Sequence, residues 1–350
     1  MKHHSQIARK PLTLLNGFTL VGMLIALSSN VWAASPGVDP WVENQLRANQ
    51  TTEFIVRMDA RAQTADLRHT RDFLERRQQL IGRLQETARQ SQASLLERLD
   101  QLGVEYRSFW ITNAVLIKGD QNLLDELMAR RDIAHIHANP QVAMDFPDPE
   151  QPKSDSPDAV EWGVSLIGAP DVWAQGFDGT GVVIAGQDTG YQWDHPALIN
   201  QYRGWNGVSA DHNYNWHDAI HVDNSSCNGD SPFPCDDNNH GTHTMGTMVG
   251  DDGGSNQIGV APGAKWISCR NMNAGNGTPA SYIECYEWFV APTDLNGENP
   301  DPSKAPHVIN NSWSCPPSEG CNDPNVMLDV VNNVVEAGIM VVVSAGNSGS

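Results

Sequence analysis

The stretch GTGVVIAGQDTGYQWDHPAL, residues 179–198, decides the fold class of this chain. Its VVIAG segment at 182–186 is a short apolar run, which is typical of a parallel strand buried on both faces. Asp188 lies just past this strand, and Asp-Thr-Gly then makes a tight turn. Open α/β sheets bind their ligands at the carboxyl ends of their strands, so Asp188 is a candidate functional residue. For this motif alone, an aspartate that only serves the turn is the alternative.

The stretch NNHGTHTMGTMVG at 238–250 predicts a helix of small residues near His240. Gly246 and Gly250 would each cost a helix about 1 kcal/mol relative to alanine, so they predict close packing against a large neighbour. His240 and His243 are three residues apart. The zinc-protease helix motif requires two histidines four apart with a glutamate between them, so no metal site is predicted here.

Two later stretches, VINNSWSC at 308–315 and VVVSAGNSG at 341–349, run from apolar into small polar residues. Both predict strands, and the second is expected to be buried. Asn347 then places a side-chain amide at a strand end, where its donor could point into a cleft.

Together these motifs resemble the subtilisin-like serine proteases (subtilase, peptidase S8 family). Asp-Thr-Gly at Asp188, His-Gly-Thr-His at His240 and Ala-Gly-Asn at Asn347 occur in that family's order. The resemblance implies an α/β fold. We expect a subtilisin-like parallel sheet with helices on both faces, incomplete at the C-terminus and preceded by a small α+β ferredoxin-like propeptide.

Four further segments carry the same resemblance. EWGVSLIGAPDVW at 161–173 is similar to the family's mature N-terminus, and GVAPGA at 259–264 to its strand-leading turn. INNSW at 309–313 and the segment 202–219 are most similar to bacillopeptidase-F-like members.

The resemblance implies a role for each residue of the catalytic site. His240 would take the proton of a serine hydroxyl and later deliver it to the leaving amine. Asp188 would hold the imidazole in the right tautomer and stabilise the imidazolium. Asn347 would donate a hydrogen bond to the oxyanion. No cofactor is required for this chemistry.

The resemblance also implies the walls of the pocket for the substrate side chain before the cut bond. Ser312, Trp313 and Ser314 would form one wall, and Ala345 with Gly346 part of the other. Ser314 stands where the family commonly has glycine, so its side chain would narrow the pocket.

The family's nucleophilic serine lies in a Gly-Thr-Ser-Met-Ala-like helix start, some tens of residues after the oxyanion asparagine. No such motif occurs in this sequence. We therefore expect the serine to lie beyond residue 350, in a serine endopeptidase precursor of which this chain is a truncated, inactive part. The alternative is a catalytically dead pseudoprotease that binds peptides or inhibits a protease.

Charge divides the chain into a balanced and an acidic part. The net charge is −20, and the residues after Asp158 contain four Lys and Arg against 22 Asp and Glu. Such a surface argues against nucleic acid and anionic lipid as partners. The expected partners are protein or peptide substrates and the chain's own propeptide as an intramolecular inhibitor.

The first 33 residues predict a signal peptide. A basic start leads into an apolar stretch at 12–29, and small residues precede a cleavage site after Ala33. The alternative, a permanent membrane anchor, is disfavoured because Asn16 interrupts a run that is short for a span. The mature protein is therefore expected to be secreted, either extracellular or periplasmic.

Residues 34–144 are expected to form a small α+β domain, which resembles the family's inhibitory propeptide. An independent adaptor domain is the alternative. Thr64 with Asp66 predicts the start of its long helix, and Gly103 the end. The pattern predicts strand 52–58, helix 64–103, a strand pair or one bent strand at 106–119, helix 122–132 and strand 133–144.

A linker is predicted between this domain and the catalytic domain at 161–350. The stretch up to Asp158 is rich in proline and acidic residues, a composition that does not fold on its own. Residues 145–160 are therefore the expected processing region.

All six cysteines follow residue 220, and export makes disulfides plausible. The pairing of sequence neighbours gives Cys227–Cys235, Cys269–Cys285 and Cys315–Cys321, one of 15 possibilities. A zinc site is the rival, but no Cys-x2-Cys pair occurs.

A structural calcium ion is a separate expectation. Many family members ligate one with an aspartate two residues after the histidine of His-Pro, where this chain has Ala197. The loops at 228–239 and 250–257 offer oxygen ligands instead. The alternative, which we favour, is that both are solvated acidic loops.

Overall fold

The computed structural model describes residues 36–144, 160–223 and 225–347. The predicted signal peptide and nearly all of the predicted linker lie outside these described residues. Within them, no helix is both long enough and apolar enough to cross a membrane. We call residues 36–144 the N-terminal region and residues 160–347 the C-terminal region; their described residues belong to one compact unit.

The N-terminal region is built on a five-stranded sheet of order β1-β5-β2-β4-β3. β2 is antiparallel to both of its neighbours, β4 and β5. The four longer strands with α2 and α3 give the β-α-β-β-α-β connection of a ferredoxin-like unit, as expected. The elements are β1 (Gly37–Val38), α1 (Pro40–Ala48), β2 (Thr52–Met58), α2 (Phe73–Leu102), β3 (Tyr106–Phe109), β4 (Ala114–Gly119), α3 (Gln121–Met128), β5 (Ile133–Ala138) and β6 (Val142–Ala143).

The long helix α2 begins nine residues later than the sequence predicts. Leu67–His69 forms only a short 3-10 turn. The helix itself starts after Asp72, whose side chain accepts a hydrogen bond from the backbone N–H of Glu75 at 2.8 Å. An aspartate that satisfies an orphan amide of the first turn fixes a helix start more firmly than Thr64 and Asp66 upstream.

The C-terminal region contains a five-stranded parallel sheet of order β13-β12-β7-β9-β8. A small ribbon, β10-β11, also pairs with β6 of the N-terminal region. The elements are α4 (Trp162–Leu166), α5 (Ala169–Trp173), β7 (Val183–Asp188), β8 (Trp216–Asp218), α6 (His240–Val249), β9 (Lys265–Arg270), β10 (Met272–Asn273), β11 (Asn276–Gly277), α7 (Pro279–Val290), β12 (Val308–Asn311), α8 (Asn325–Glu336) and β13 (Met340–Val343).

Helices cover both faces of this parallel sheet, as the fold class predicts. Ile184 of β7 belongs to one buried cluster with Met245 of α6. The next residue, Ala185, belongs to another cluster with Ile283 of α7 and Val330 of α8. Since successive side chains of a strand point to opposite faces, α6 lies on one side of the sheet and α7 with α8 on the other.

The prediction that the last strand is buried is wrong for the described residues. β13 pairs with β12 alone and forms the edge of the sheet. Its side chains are largely exposed, Met340 and Val343 each to 66%. An apolar run in the sequence therefore does not tell whether a strand has one neighbouring strand or two.

The N-terminal sheet packs one face on α7 and α8. Ile55 of β2 and Phe109 of β3 join the buried cluster of those helices. Basic side chains meet acidic ones around this apolar contact. Nη1 of Arg57 lies 3.1 Å from Oδ2 of Asp329 on α8, and Arg107 contacts Glu284 on α7. The interface is therefore apolar at its centre, with ion pairs that run from one region to the other.

Glu287 of α7 brings a carboxyl group to the same interface. Its Oε2 accepts a hydrogen bond from the backbone N–H of Ile111 at 2.9 Å. Desolvation raises the pKa of this carboxyl to about 8, against the lowering effect of the Ile111 and Trp110 backbone N–H groups. Glu287 therefore holds its proton at pH values where a solvated glutamate has lost it.

We expect the folded chain to become less stable as pH rises, because Glu287 must then lose this proton inside the protein. Between the ordinary value of 4.5 and about 8, the folded chain binds a proton that the unfolded chain has released. Its contribution to stability is present below that window and is lost across it. The Tm of the Glu287→Gln variant should therefore fall less between pH 5 and pH 8. Glu298→Gln, at an exposed loop position, is the control. Equal Tm losses in the unchanged chain and Glu287→Gln would contradict this assignment.

The three disulfides follow the pairing of sequence neighbours, Cys227–Cys235, Cys269–Cys285 and Cys315–Cys321. All six cysteines lie among the described residues, and each is paired there. Cys269 of β9 and Cys285 of α7 tie the sheet to a helix, and Cys315 and Cys321 close the loop between β12 and α8.

Candidate active site

Asp188 and His240 lie in direct contact. Nδ1 of His240 is 2.7 Å from Oδ1 of Asp188. Asp188 ends β7 and is fully buried, whereas the side chain of His240 is 20% exposed. The backbone N–H of Thr189 donates to the same Oδ1 at 2.8 Å. The pair thus consists of an enclosed carboxylate and an imidazole that reaches solvent.

Glycine allows α6 to approach β7 this closely. A Cβ on Gly241 would lie 2.1 Å from the carbonyl oxygen of Gly190 and 3.1 Å from Cβ of Asp188. The prediction of close packing at Gly246 is wrong, because a Cβ there would meet no atom within 4 Å. The tight contact between α6 and β7 lies beside the histidine. Gly250 lies just past the end of α6, where a Cβ would be 2.6 Å from the carbonyl oxygen of Gly246.

Asp236 orders the start of α6, whereas the sequence analysis considered it only as part of a loop that could bind calcium. Its Oδ2 accepts from the backbone N–H of Thr242 at 2.9 Å, and its Oδ1 from the hydroxyl of Thr189 at 2.8 Å. One carboxylate therefore joins the first turn of α6 to the residue after Asp188. The signal available in the sequence was an aspartate shortly before a predicted helix start.

The pKa values of the pair are linked. Burial raises the pKa of Asp188, although the hydrogen bond and charge of His240 lower it. Burial lowers the pKa of His240, but the hydrogen bond and charge of Asp188, with the charge of Asp236, outweigh it and raise that pKa above its ordinary value. The site therefore stabilises an imidazolium more than water does.

The other predicted site residues lie at the same edge of the sheet. β12 lies between β7 and β13, and all three strands are parallel. Asn311 of β12 is level with Gln187 of β7 and with Val343 of β13. Their carboxyl ends carry Asp188, the segment Ser312-Trp313-Ser314, and Ser344-Ala345-Gly346-Asn347. Ser314, Ala345, Gly346 and Asn347 are exposed, and Ser312 and Trp313 are half-buried.

Trp313 is turned partly into the core. Its ring stacks on Tyr282 of α7 with a centroid separation of 3.8 Å and an angle of 18° between the planes. The exposed Ser314 is therefore the member of this segment whose side chain is most open to solvent.

A buried amide network beneath these strand ends was also missed. Nε2 of Gln187 donates to Oδ1 of Asn311 at 2.6 Å, and the hydroxyl of Tyr286 to the same oxygen at 2.9 Å. Nδ2 of Asn311 donates to the carbonyl oxygen of Val342 at 2.9 Å, which ties β12 to β13. Amides within apolar strands were the available signal, because buried polar groups need partners.

Acidic residues of the two loops considered for calcium have partners within the protein. Asp237 pairs with the fully buried Arg270, whose Nη2 lies 3.1 Å from its Oδ2. Asp251 and Asp252 accept hydrogen bonds from the backbone N–H groups of Gly253 and Gly254, each at 2.8 Å. The favoured expectation of solvated acidic loops and the alternative of a structural calcium ion both stay predictions.

Residues 179–350 match the family model described as Peptidase_S8, Subtilase family. This part of the chain is a peptidase S8 (subtilase) domain. The chain is 34% identical to Bacillopeptidase F of Bacillus subtilis (strain 168) over 310 residues, which is 82% of this chain and 20% of that protein. It is 31% identical to the Major intracellular serine protease of the same organism over 187 residues, 53% of this chain and 49% of that protein.

The fold has a counterpart among solved structures. The epidermin leader peptide processing serine protease (EpiP) from Staphylococcus aureus superposes with a TM-score of 0.53 at 15% identity, over 85% of this chain and 62% of that one. At this identity the likeness concerns the fold alone. The chain spans about a fifth of the length of Bacillopeptidase F and about half of the length of the Major intracellular serine protease.

Proposed function

We propose that this chain is part of the precursor of a secreted serine endopeptidase that hydrolyses peptide bonds by an Asp-His-Ser triad. Asp188 and His240 supply two members, and the nucleophilic serine lies outside these 350 residues. The subtilase domain and the serine proteases among its relatives support the reaction class. The predicted signal peptide and the three disulfides support export.

The 2.7 Å contact between Asp188 and Nδ1 of His240 carries this proposal. A carboxylate that accepts from Nδ1–H selects the tautomer whose lone pair is on Nε2, the atom that takes a proton from a serine hydroxyl. The raised pKa of His240 then favours the imidazolium that forms as the serine attacks. The same imidazolium returns its proton to the leaving amine.

In this proposal the substrate lies as an extended strand along the edge where β12 and β13 end. Asn347 donates its side-chain N–H to the oxyanion of the tetrahedral intermediate. The segments Ser312–Ser314 and Ala345–Gly346 form the walls of the pocket, and the exposed Ser314 narrows it.

The N-terminal region acts in this proposal as the propeptide. β6 pairs antiparallel with β11, and the backbone N–H of Met144 donates to the carbonyl oxygen of Gly275 at 2.8 Å. The end of the N-terminal region is thus held on the protease surface as an added strand. Cleavage within 145–160 would separate the two regions and allow the propeptide to leave.

The test is to produce the whole protein, with the region that follows residue 350, and to measure casein cleavage and labelling by a fluorophosphonate. We expect the probe to label one serine, and we expect both labelling and casein cleavage to be lost when that serine is replaced by alanine. The mature protein should have a new N-terminus within 145–160. A folded whole protein that neither cleaves casein nor reacts with the probe would contradict the proposal. It would favour a peptide-binding pseudoprotease.

A further inference from the structure

His135, His137 and Asp323 form a polar cluster between the two regions, separate from the candidate active site. The two histidines lie on β5, two residues apart and so on the same face of the strand. Asp323 lies in the loop just before α8. Oδ2 of Asp323 is 3.1 Å from Nδ1 of His137 and 3.6 Å from Nε2 of His135. Ligand atoms of all three residues lie within 4.8 Å of one another.

The imidazole of His137 is enclosed without a hydrogen-bond partner. Its side chain is 2% exposed, and neither ring nitrogen has a partner at hydrogen-bond geometry; nor has Nε2 of His135. Buried polar atoms in proteins are almost always paired, because an unpaired one loses its hydration without replacement. Two of these nitrogens, Nε2 of His135 and Nδ1 of His137, lie beside the same carboxylate oxygen and therefore point to a ligand that accepts one lone pair from each ring.

Neighbouring groups fix the orientation of the cluster. Oδ1 of Asp323 accepts from the backbone N–H of Asn325 at 2.9 Å and from its side-chain amide at 2.6 Å, which directs Oδ2 towards the histidines. The ring of His135 lies against Gly37, where a Cβ would be 2.6 Å from its Nδ1. A carboxylate anchored through its second oxygen and a ring seated on glycine are the kind of support that holds metal ligands in place.

The donor set and spacing suit a zinc-class cation. Two imidazole nitrogens and one carboxylate oxygen are a common set for Zn²⁺, whereas Ca²⁺ and Mg²⁺ take oxygen ligands. Zinc–nitrogen bonds of about 2.0–2.1 Å in a tetrahedron separate neighbouring ligand atoms by about 3.4 Å. The distances from Oδ2 of Asp323 to Nδ1 of His137, 3.1 Å, and to Nε2 of His135, 3.6 Å, lie on either side of that value.

We propose that His135, His137 and Asp323 bind a divalent transition-metal ion of the zinc class, which fastens the N-terminal region to the C-terminal region. Water or a further ligand completes the coordination. The binding itself is independent of catalysis. Its consequence, that the metal holds a propeptide on a protease, rests on the proposed function above.

The test is a titration of the EDTA-treated, purified 350-residue chain with Co²⁺, followed by the visible absorption of tetrahedral Co²⁺ and by displacement with Zn²⁺. We expect one Co²⁺ per chain. His137→Gln and Asp323→Asn should each weaken Co²⁺ binding by about 10- to 100-fold or more. Replacing a residue that only hydrogen-bonds to a metal ligand already costs about this much, and these two residues would be ligands themselves. Zn²⁺ should raise the Tm of the unchanged chain but not that of these variants.

His69→Gln is the matched control, because its exposed ring lies in the same region outside the cluster. Should His137→Gln fail to fold by circular dichroism, His135→Gln replaces it, since that side chain is 25% exposed. A folded chain without saturable Co²⁺ absorption, or cluster variants that bind as well as the unchanged chain, would overturn the proposal. The readout needs no proteolysis, so metal binding and protease activity can each fail without the other.

Discussion

Replacing His240 with alanine should lower kcat/KM of the whole protein for peptide amides by about 10⁴- to 10⁶-fold. The imidazole is the group at this site that can take the serine proton, and Asp188 is already in place to stabilise its charged form. With the imidazole gone, the buried carboxylate of Asp188 loses its cationic partner and keeps the backbone N–H of Thr189. Attack on the amide then depends on an unactivated hydroxyl.

The measurement is kcat/KM on a chromogenic peptide amide, with His243→Ala as the control. His243 lies one turn further along α6 and is exposed, so its removal should leave the rate within a few-fold of the unchanged protein. The pH profile of the unchanged protein adds a second check. Its acidic limb should lie above the ordinary pKa of histidine, because Asp188 raises that of His240. A His240→Ala protein that retains normal activity would refute the role.

Asn347→Leu carries the second largest expected effect, a loss of about 10²- to 10³-fold in kcat with little change in KM. Leucine keeps the approximate volume of asparagine but cannot donate a hydrogen bond. An oxyanion forms only as the tetrahedral intermediate develops, so its donor stabilises the transition state and not the bound substrate. The loss should therefore appear in kcat.

Asn296→Leu is the matched control for this substitution. Asn296 is exposed in the loop that leads into β12, whereas the candidate site lies where β12 ends. We expect steady-state kinetics close to those of the unchanged protein. A rise in KM at constant kcat in Asn347→Leu would contradict the oxyanion role and would indicate a substrate contact instead.

Local signals were sufficient for much of the fold. The apolar run before Asp188 and the small residues after His240 predicted β7 and α6, whose ends meet at the candidate site. The helix α1 carries a local signal too, since Asp39 accepts from the backbone N–H of Trp41 ahead of Pro40. The sequence analysis predicts no helix there.

What could not be predicted depends on contacts between distant parts of the chain. Asn311 has hydrogen-bond partners 124 and 25 residues away in Gln187 and Tyr286. His137 and Asp323 meet only because β5 packs beside the start of α8. A sequence pattern shows that these residues are polar, but not which elements come together around them.

The ion pairs between the two regions have a consequence for the surface that lies beneath the N-terminal region. The N-terminal region contributes the cations, Arg57 and Arg107, and the acidic C-terminal region contributes Asp329 and Glu284. These charges are in direct contact, and their side chains are no more than 35% exposed, so salt screens them much less than it screens solvated pairs. In the proposed function, a propeptide that leaves would take both cations with it, and the surface it uncovers would be more acidic than the one it covered.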